Sequence, residues 1–127
     1  MCYCGLDAEY KDCCGRYHQG EPAPTAEALM RSRFTAYALG LFDYIQDTME
    51  GAPALDFDRD AAEQQHEVLQ WTRLEVLRTE KGLESDDDGI VEFVAHYLID
   101  TQKDSFCEES TFLKRKGRWY YVSGKHK

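Results

Sequence analysis

Between Leu29 and Leu41 the apolar residues fall at three- and four-residue steps. Leu29, Met30, Phe34, Tyr37, Ala38 and Leu41 make one stripe, the mark of an amphipathic helix. Thr25 stands before it as an N-cap, because its hydroxyl can accept from the free amides of a first turn. Gly40 is a natural stop. Asp43 is placed to cap a second, short helix reaching to about Met49. "EGAPALDFD" reads as loop and "DAAEQQHEVLQW" as a third helix, weakly amphipathic. After Trp71 the period changes to two. "TRLEVLRTE" alternates with Leu74 and Val76 on one face. "GIVEFVAHYLID" sets Val91, Phe93, Ala95, Tyr97 and Ile99 against Glu92, Val94, His96 and Leu98. Apolar residues on both faces predict a central strand. "SFCEESTFLK" and "RWYYVSG" are two more strands around a tight turn at Lys116-Gly117. Alternation in the last strand puts Trp119 and Tyr121 on the inner face and Tyr120 on the other.

Helices followed by antiparallel strands predict an α+β fold. A curved antiparallel sheet wrapped around the long helix makes a cone with an open mouth, expected over residues 25–127. Residues 1–20 are rich in Gly and Cys and show no apolar period. "GEPAPT" (20–25) reads as a linker between the two parts.

Length and composition refine this picture. The 127 residues amount to one domain with a small appendage, and 43% apolar content with 13% aromatic residues is globular. A net charge of −9 argues against nucleic acid as a partner, since phosphate binding depends on an excess of Lys and Arg. The basic run Lys114, Arg115, Lys116, Arg118, Lys125 and Lys127 reads as a solvated hairpin and tail. No apolar run approaches the ~18 residues of a membrane span. Cys2, Cys4, Asp7, Glu9, Lys11 and Asp12 follow Met1 where a leader would place its apolar core, so a reducing, cytoplasmic location is expected.

Four of the five cysteines, Cys2, Cys4, Cys13 and Cys14, lie in the first fourteen residues. Cys2 and Cys4 can reach one ion if the chain turns at Gly5. "DAEYKDCCG" can form a short helix with Cys13 and Cys14 in its last turn and Gly15 ending it. His18 is a candidate replacement for one thiol. Zinc favours four such ligands in a tetrahedron with Zn–S near about 2.3 Å. Packing alone explains a cluster this dense poorly, a reducing compartment disfavours disulfides, and no C-x-x-C redox pair is present. A structural zinc ion is therefore expected, with no open coordination position for catalysis. Cys107 reads as a plain strand residue.

"CYCGLDAEYKDCCG" resembles the SEC-C motif, the zinc module named for the C-terminus of SecA. "LMRSRFTAYALG", "WTRLEV" and "STFLKRKGRWYYVSG" resemble the YchJ family. The resemblance implies a SEC-C zinc motif over residues 1–20, with Cys2, Cys4, Cys13 and Cys14 as ligands. It implies a nuclear-transport-factor-two-like, cystatin-like cone over residues 25–127. Because SEC-C is a docking element in SecA, it also implies a protein partner through the knuckle. Cones of this type often pair through their sheets, which makes a homodimer an expectation by analogy.

Enzymes on such cones need a carboxylate or histidine pair inside. The candidates for a pocket are Tyr37, Asp47, Trp71, His96 and Tyr97, with core packing the plainer explanation for the aromatics and a half-buried strand histidine for His96. Arg31 and Arg33 flank the apolar stripe, where they could grip an anion; pairing with strand carboxylates such as Glu108 or Glu109 is the preferred reading. No hydrolase elbow, phosphate-cradling loop, H-E-x-x-H or nucleotide fingerprint is present. No catalytic residue is assigned, and the balance favours a non-catalytic zinc-binding interaction protein. The alternative is a small-molecule binder or enzyme with a pocket near Tyr37, Trp71 and His96.

Overall fold

The computed structural model describes residues 1–127. A single 3₁₀ turn (Tyr10–Asp12) leads into helix α1 (Cys14–His18). Then follow α2 (Ala26–Leu39), α3 (Phe42–Asp47), α4 (Ala52–Asp56) and α5 (Arg59–Val68). Four strands complete the chain: β1 (Leu69–Lys81), β2 (Asp88–Ile99), β3 (Gln102–Arg115) and β4 (Arg118–His126). They form one antiparallel sheet in the order β1-β2-β3-β4, the expected α+β arrangement.

The local signals explain most of these boundaries. Thr25 Oγ1 accepts from the Ala28 amide at 3.0 Å and starts α2, and Gly40 ends it in the left-handed region at φ 78°. Lys116 and Gly117 both take positive φ, as a two-residue turn matched to the twist of β3 and β4 requires. Four expectations differ. Asp43 caps nothing; it lies inside α3, where it accepts a 2.5 Å charged bond from Arg59. The expected loop at 50–58 contains α4, with Pro53 in its first turn. The third helix stops at Val68, and Leu69–Trp71 already pair with Tyr97–Ile99. The Cys13-Cys14 pair does not end a helix: Cys14 opens α1.

Helix α2 is not buried along one stripe. Leu29, Met30 and Phe34 are buried, but so are Ser32, Arg33 and Thr35. The sheet covers one side of the helix and the N-terminal segment covers the other, so polar residues also leave solvent. Residues 20–25 are packed between the two parts. Ala23 is buried, the Pro24 carbonyl accepts from Trp119 Nε1 at 3.3 Å, and the Gly20 carbonyl accepts from Arg118 at 3.1 Å. One buried apolar cluster runs from Cys2, Cys4, Cys13 and Cys14 through Leu29 and Phe34 to Val91, Phe112 and Trp119. Trp119 is 2% exposed, as the alternation of β4 predicts.

The sheet's inner face carries Val91, Phe93 and Ala95, all buried; Tyr97 is half-buried and Ile99 is exposed as β2 leaves the helix. On the outer face Arg78 pairs with Glu92 at 2.8 Å and Glu109 at 2.5 Å, and Lys127 joins both carboxylates. Strand β1 is interrupted between Trp71 and Arg73 and between Val76 and Arg78. The outer edge of β4 meets Met49 in a short parallel bridge, with Tyr121 N–H donating to Thr48 O and Glu50 N–H to Tyr121 O. No helix is long and apolar enough to cross a membrane.

Candidate metal centre and cone cavity

The first fourteen residues fold around their own sulfurs. The Gly5 amide donates to the Cys2 carbonyl at 3.0 Å, and Gly5 turns at φ 97°, which returns Cys4 toward Cys2. The 3₁₀ turn then delivers Cys13 and Cys14. Gly15 allows the tight approach that follows, since a Cβ there would stand 2.7 Å from the Tyr10 carbonyl oxygen. The result brings Cys2, Cys4, Cys13 and Cys14 Sγ within 4.8 Å of one another, with Cys4 and Cys13 Sγ at 3.7 Å. None of the four is more than 8% exposed, and all are free thiols.

This donor set fits a tetrahedral metal ion. Bonds of about 2.3 Å at tetrahedral angles put sulfurs about 3.8 Å apart, close to the Cys4–Cys13 separation. Neighbouring groups are aimed at the sulfurs and their backbone. Thr35 Oγ1 donates to Cys14 Sγ at 3.3 Å, and Arg31 Nη1 donates to the Cys4 carbonyl at 2.8 Å while its Nε pairs with Glu27. The thiols themselves are unequal. A hydrogen bond from Cys14, joined by one from the Leu6 amide, holds Cys4 at about 5, despite burial. Cys14 is pushed far up by giving that bond and by burial; Cys13 is pushed up to about 11, chiefly by burial. A dry cluster thus gives up one proton readily and resists losing more until a cation compensates the charge.

His18 is no ligand. Its Nε2 donates to the Ser32 carbonyl at 2.8 Å, so Nδ1 is left to accept from the Tyr10 hydroxyl at 2.6 Å. It ties α1 to α2 as a neutral ring, and burial lowers its pKa.

On the opposite side of α2, between helix and sheet, lies a cavity of about 270 Å³. Of the expected pocket residues, Tyr37 and Trp71 line it. Tyr97 braces Trp71 from outside at 5.4 Å between ring centroids. His96 and Asp47 are elsewhere. His96 faces outward on β2, its Nε2 2.6 Å from Glu75 Oε1, because strand alternation opposes it to Ala95 and Tyr97. Asp47 is exposed at the end of α3 beside a separate, smaller hollow. Two charged groups stand in the cavity wall that the sequence reading did not place there: Arg33 and Glu108. Arg33 is 7% exposed and has no carboxylate within ion-pair distance. Its Nη1 donates to Ile45 O at 2.9 Å and Thr48 Oγ1 at 2.6 Å, and its guanidinium lies over the Tyr121 ring at 4.9 Å. The expected pairing of Arg31 and Arg33 with Glu108 or Glu109 does not form, because Glu109 points to Arg78 on the outer face and Glu108 is held by Ser110 and Tyr121. The signal for Arg33 was a charge inside an apolar stripe. The signal for Glu108 was alternation along β3, which sets it on the same face as Phe106 and Phe112.

The basic hairpin is largely tied down. Arg115 pairs with Glu50, Lys114 donates to the Glu84 carbonyl and Arg118 to Gly20.

Comparison with known proteins agrees with this architecture. Residues 25–124 match the family described as YchJ, middle NTF2-like domain. A UPF0225 protein of Chromobacterium violaceum is 48% identical over 97% of this chain and 90% of its own length. Another, from Corynebacterium efficiens, is 46% identical over 97% and 91%. Among solved structures, a SEC-C motif containing protein from Rhodopseudomonas palustris superposes with TM-score 0.87 at 37% identity, covering 98% of this chain and 96% of that one. A SEC-C motif containing protein from Psychrobacter arcticus gives 0.80 at 31%, covering 97% and 80%. With a middle domain that matches almost end to end and relatives near half identity along the whole chain, this protein belongs to the YchJ (UPF0225) family.

Proposed function

We propose that the protein is a non-catalytic binding protein in which Cys2, Cys4, Cys13 and Cys14 hold one structural zinc ion that clamps the N-terminal knuckle onto the cone. The observation that carries this reading is the closed set of four buried sulfurs within 4.8 Å of one another. All-thiolate tetrahedral sites suit zinc, and they leave no position for substrate or water. Four thiolates also offset the ion's charge, which leaves little Lewis acidity. The chief acid–base candidates, Asp47 and His96, stand on different faces of the molecule, which supports a role without turnover. A reducing cytoplasm suits free thiolate ligands.

A protein partner would meet the knuckle on its outer side, where Met1, Tyr3 and Leu6 are all exposed. A homodimer through the sheet would instead have to bury the Arg78–Glu92–Glu109–Lys127 network. Leu6→Asp should therefore abolish partner binding while leaving metal content unchanged. The decisive measurement is elemental analysis of protein purified in reducing buffer without chelator. One zinc per chain is expected, falling to the background in Cys13→Ser. Less than about a tenth of a zinc per wild-type chain would end the proposal.

A further inference from the structure

Arg33 presents an energetic problem that the fold does not solve. A buried guanidinium is costly unless its charge and its donors are met. Here only Nη1 is met, by Ile45 O and Thr48 Oγ1. No carboxylate lies within 4.0 Å, and Glu108 acts on it only at longer range. Nε and Nη2, which share the side-on edge of the guanidinium, make no bond to any protein atom. Yet no polar side-chain atom is both sealed from solvent and unpartnered, so this edge opens onto the cavity. That edge is the one a carboxylate takes with two parallel bonds.

Most of the rest of the wall is aromatic. Phe34, Tyr37, Trp71, Phe93, Phe106 and Tyr121 surround the space, with Trp71 edge-on to Phe34 at 6.0 Å and to Phe106 at 5.8 Å. A volume of about 270 Å³ sits just below the usual range for ligand pockets and suits one or two rings. Glu108 supplies a second polar point. Its Oε2 accepts from Ser110 Oγ at 2.5 Å and Tyr121 OH at 3.2 Å, and its Oε1 lies 3.3 Å from His126 Nε2. A carboxylate on the wall repels an anion placed against it and welcomes a hydroxyl or amine.

We propose that the cone cavity binds a small aromatic carboxylate, its acid group on the Nε–Nη2 edge of Arg33, its ring among Trp71, Phe34 and Phe106, and a hydroxyl or amino substituent toward Glu108. This is independent of the zinc reading, because no cysteine lines the cavity.

The matched pair 4-hydroxybenzoate and 4-hydroxybenzamide tests it on the intact, metal-loaded protein. Both are planar and carry the same hydroxyl; only the acid carries a charge. Calorimetry gives affinities, and the two tryptophan indole N–H signals report position. Trp71 lines the cavity, whereas Trp119 lies on the knuckle side, bonded to Pro24. The acid should bind with Kd below about 1 mM, at least about tenfold tighter than the amide, moving the Trp71 signal and not that of Trp119. In Arg33→Met the preference for the acid should vanish. Should that variant fold poorly, the wild-type comparison alone decides. A Kd for the acid above about 1 mM, an acid-to-amide ratio under about ten, or shifts centred on Trp119 would overturn the proposal.

Discussion

The two sides of α2 handle buried polarity in opposite ways. Toward the knuckle, each buried polar side chain has a protein partner: Ser32 Oγ meets Leu29 O and the Tyr44 hydroxyl, Thr35 donates to Cys14 Sγ, and beside them the half-buried Arg31 reaches Cys4 O. Toward the cone, one step along the same helix, Arg33 turns two donors without a protein partner to the cavity. The first side is closed by its own ligands. The second is arranged like a site completed by something else. Burial alone therefore does not distinguish core from site; the count of unmet donors does.

This contrast can be broken most severely from the knuckle. Removing the metal with a strong chelator, or replacing Cys14 with Ser, should lower the melting temperature by about 10 °C or more, since metal binding is linked directly to folding. The cone should soften along with the knuckle, because the sulfurs share one apolar cluster with Val91 and Phe112. Hydrogen exchange that accelerated only in residues 1–20 would show the two sides to be uncoupled. Next in size, Trp119→Ala on the packed side should cost about 3–5 kcal/mol by chemical denaturation. An unchanged midpoint would mean that β4 is facing the wrong way. Phe106→Ala on the cavity side should cost only about 1–2 kcal/mol, because Phe106 is half-buried beside existing space. Equal losses at the two positions would remove the distinction between a filled and an open side.

The smallest effect concerns His18. Burial lowers its pKa in the folded state, while the unfolded chain titrates near its ordinary value of about 6.5. As pH falls below that value the unfolded state takes up the proton first. Its contribution is thus fully present above about pH 6.5 and is lost as pH falls through the depressed folded value. Plotted against pH, the stability of His18→Gln should lack this component and run flatter below about pH 6.5. A parallel curve would assign the dependence to other groups.

Much of this organisation was legible because its causes are local. Thr25, Gly40 and Lys116-Gly117 act on their own neighbours, and the four cysteines sit close enough in the chain to meet by short turns. Period-two alternation placed Val91, Phe93, Ala95 and Trp119 inward. It also placed His96 outward, which a pocket built on residue type alone overlooked. What stayed hidden was non-local. Ser32 and Thr35 become interior only because the knuckle and Tyr44 cover the far side of α2, and Arg33 only because the end of α3 and Tyr121 close over it. Glu108 stands on the inner face of β3 by alternation, but its bonds to Ser110 and Tyr121 follow only from the folded sheet. The segment at 20–25 has the composition of a spacer, yet Trp119 and Arg118, nearly a hundred residues later, pin it in place.

The irregular outer strands have a consequence for behaviour in a crowded solution. A sheet of four strands has two free edges, each a template for uncontrolled strand addition. On β1 the interruptions at Trp71/Arg73 and Val76/Arg78 break the even row of donors and acceptors that an incoming strand would need. On β4 the Met49 segment already occupies part of the edge through Thr48 and Glu50. One border is roughened and the other is partly capped, so self-association by sheet extension is disfavoured at both ends without sacrificing any apolar surface of the cone.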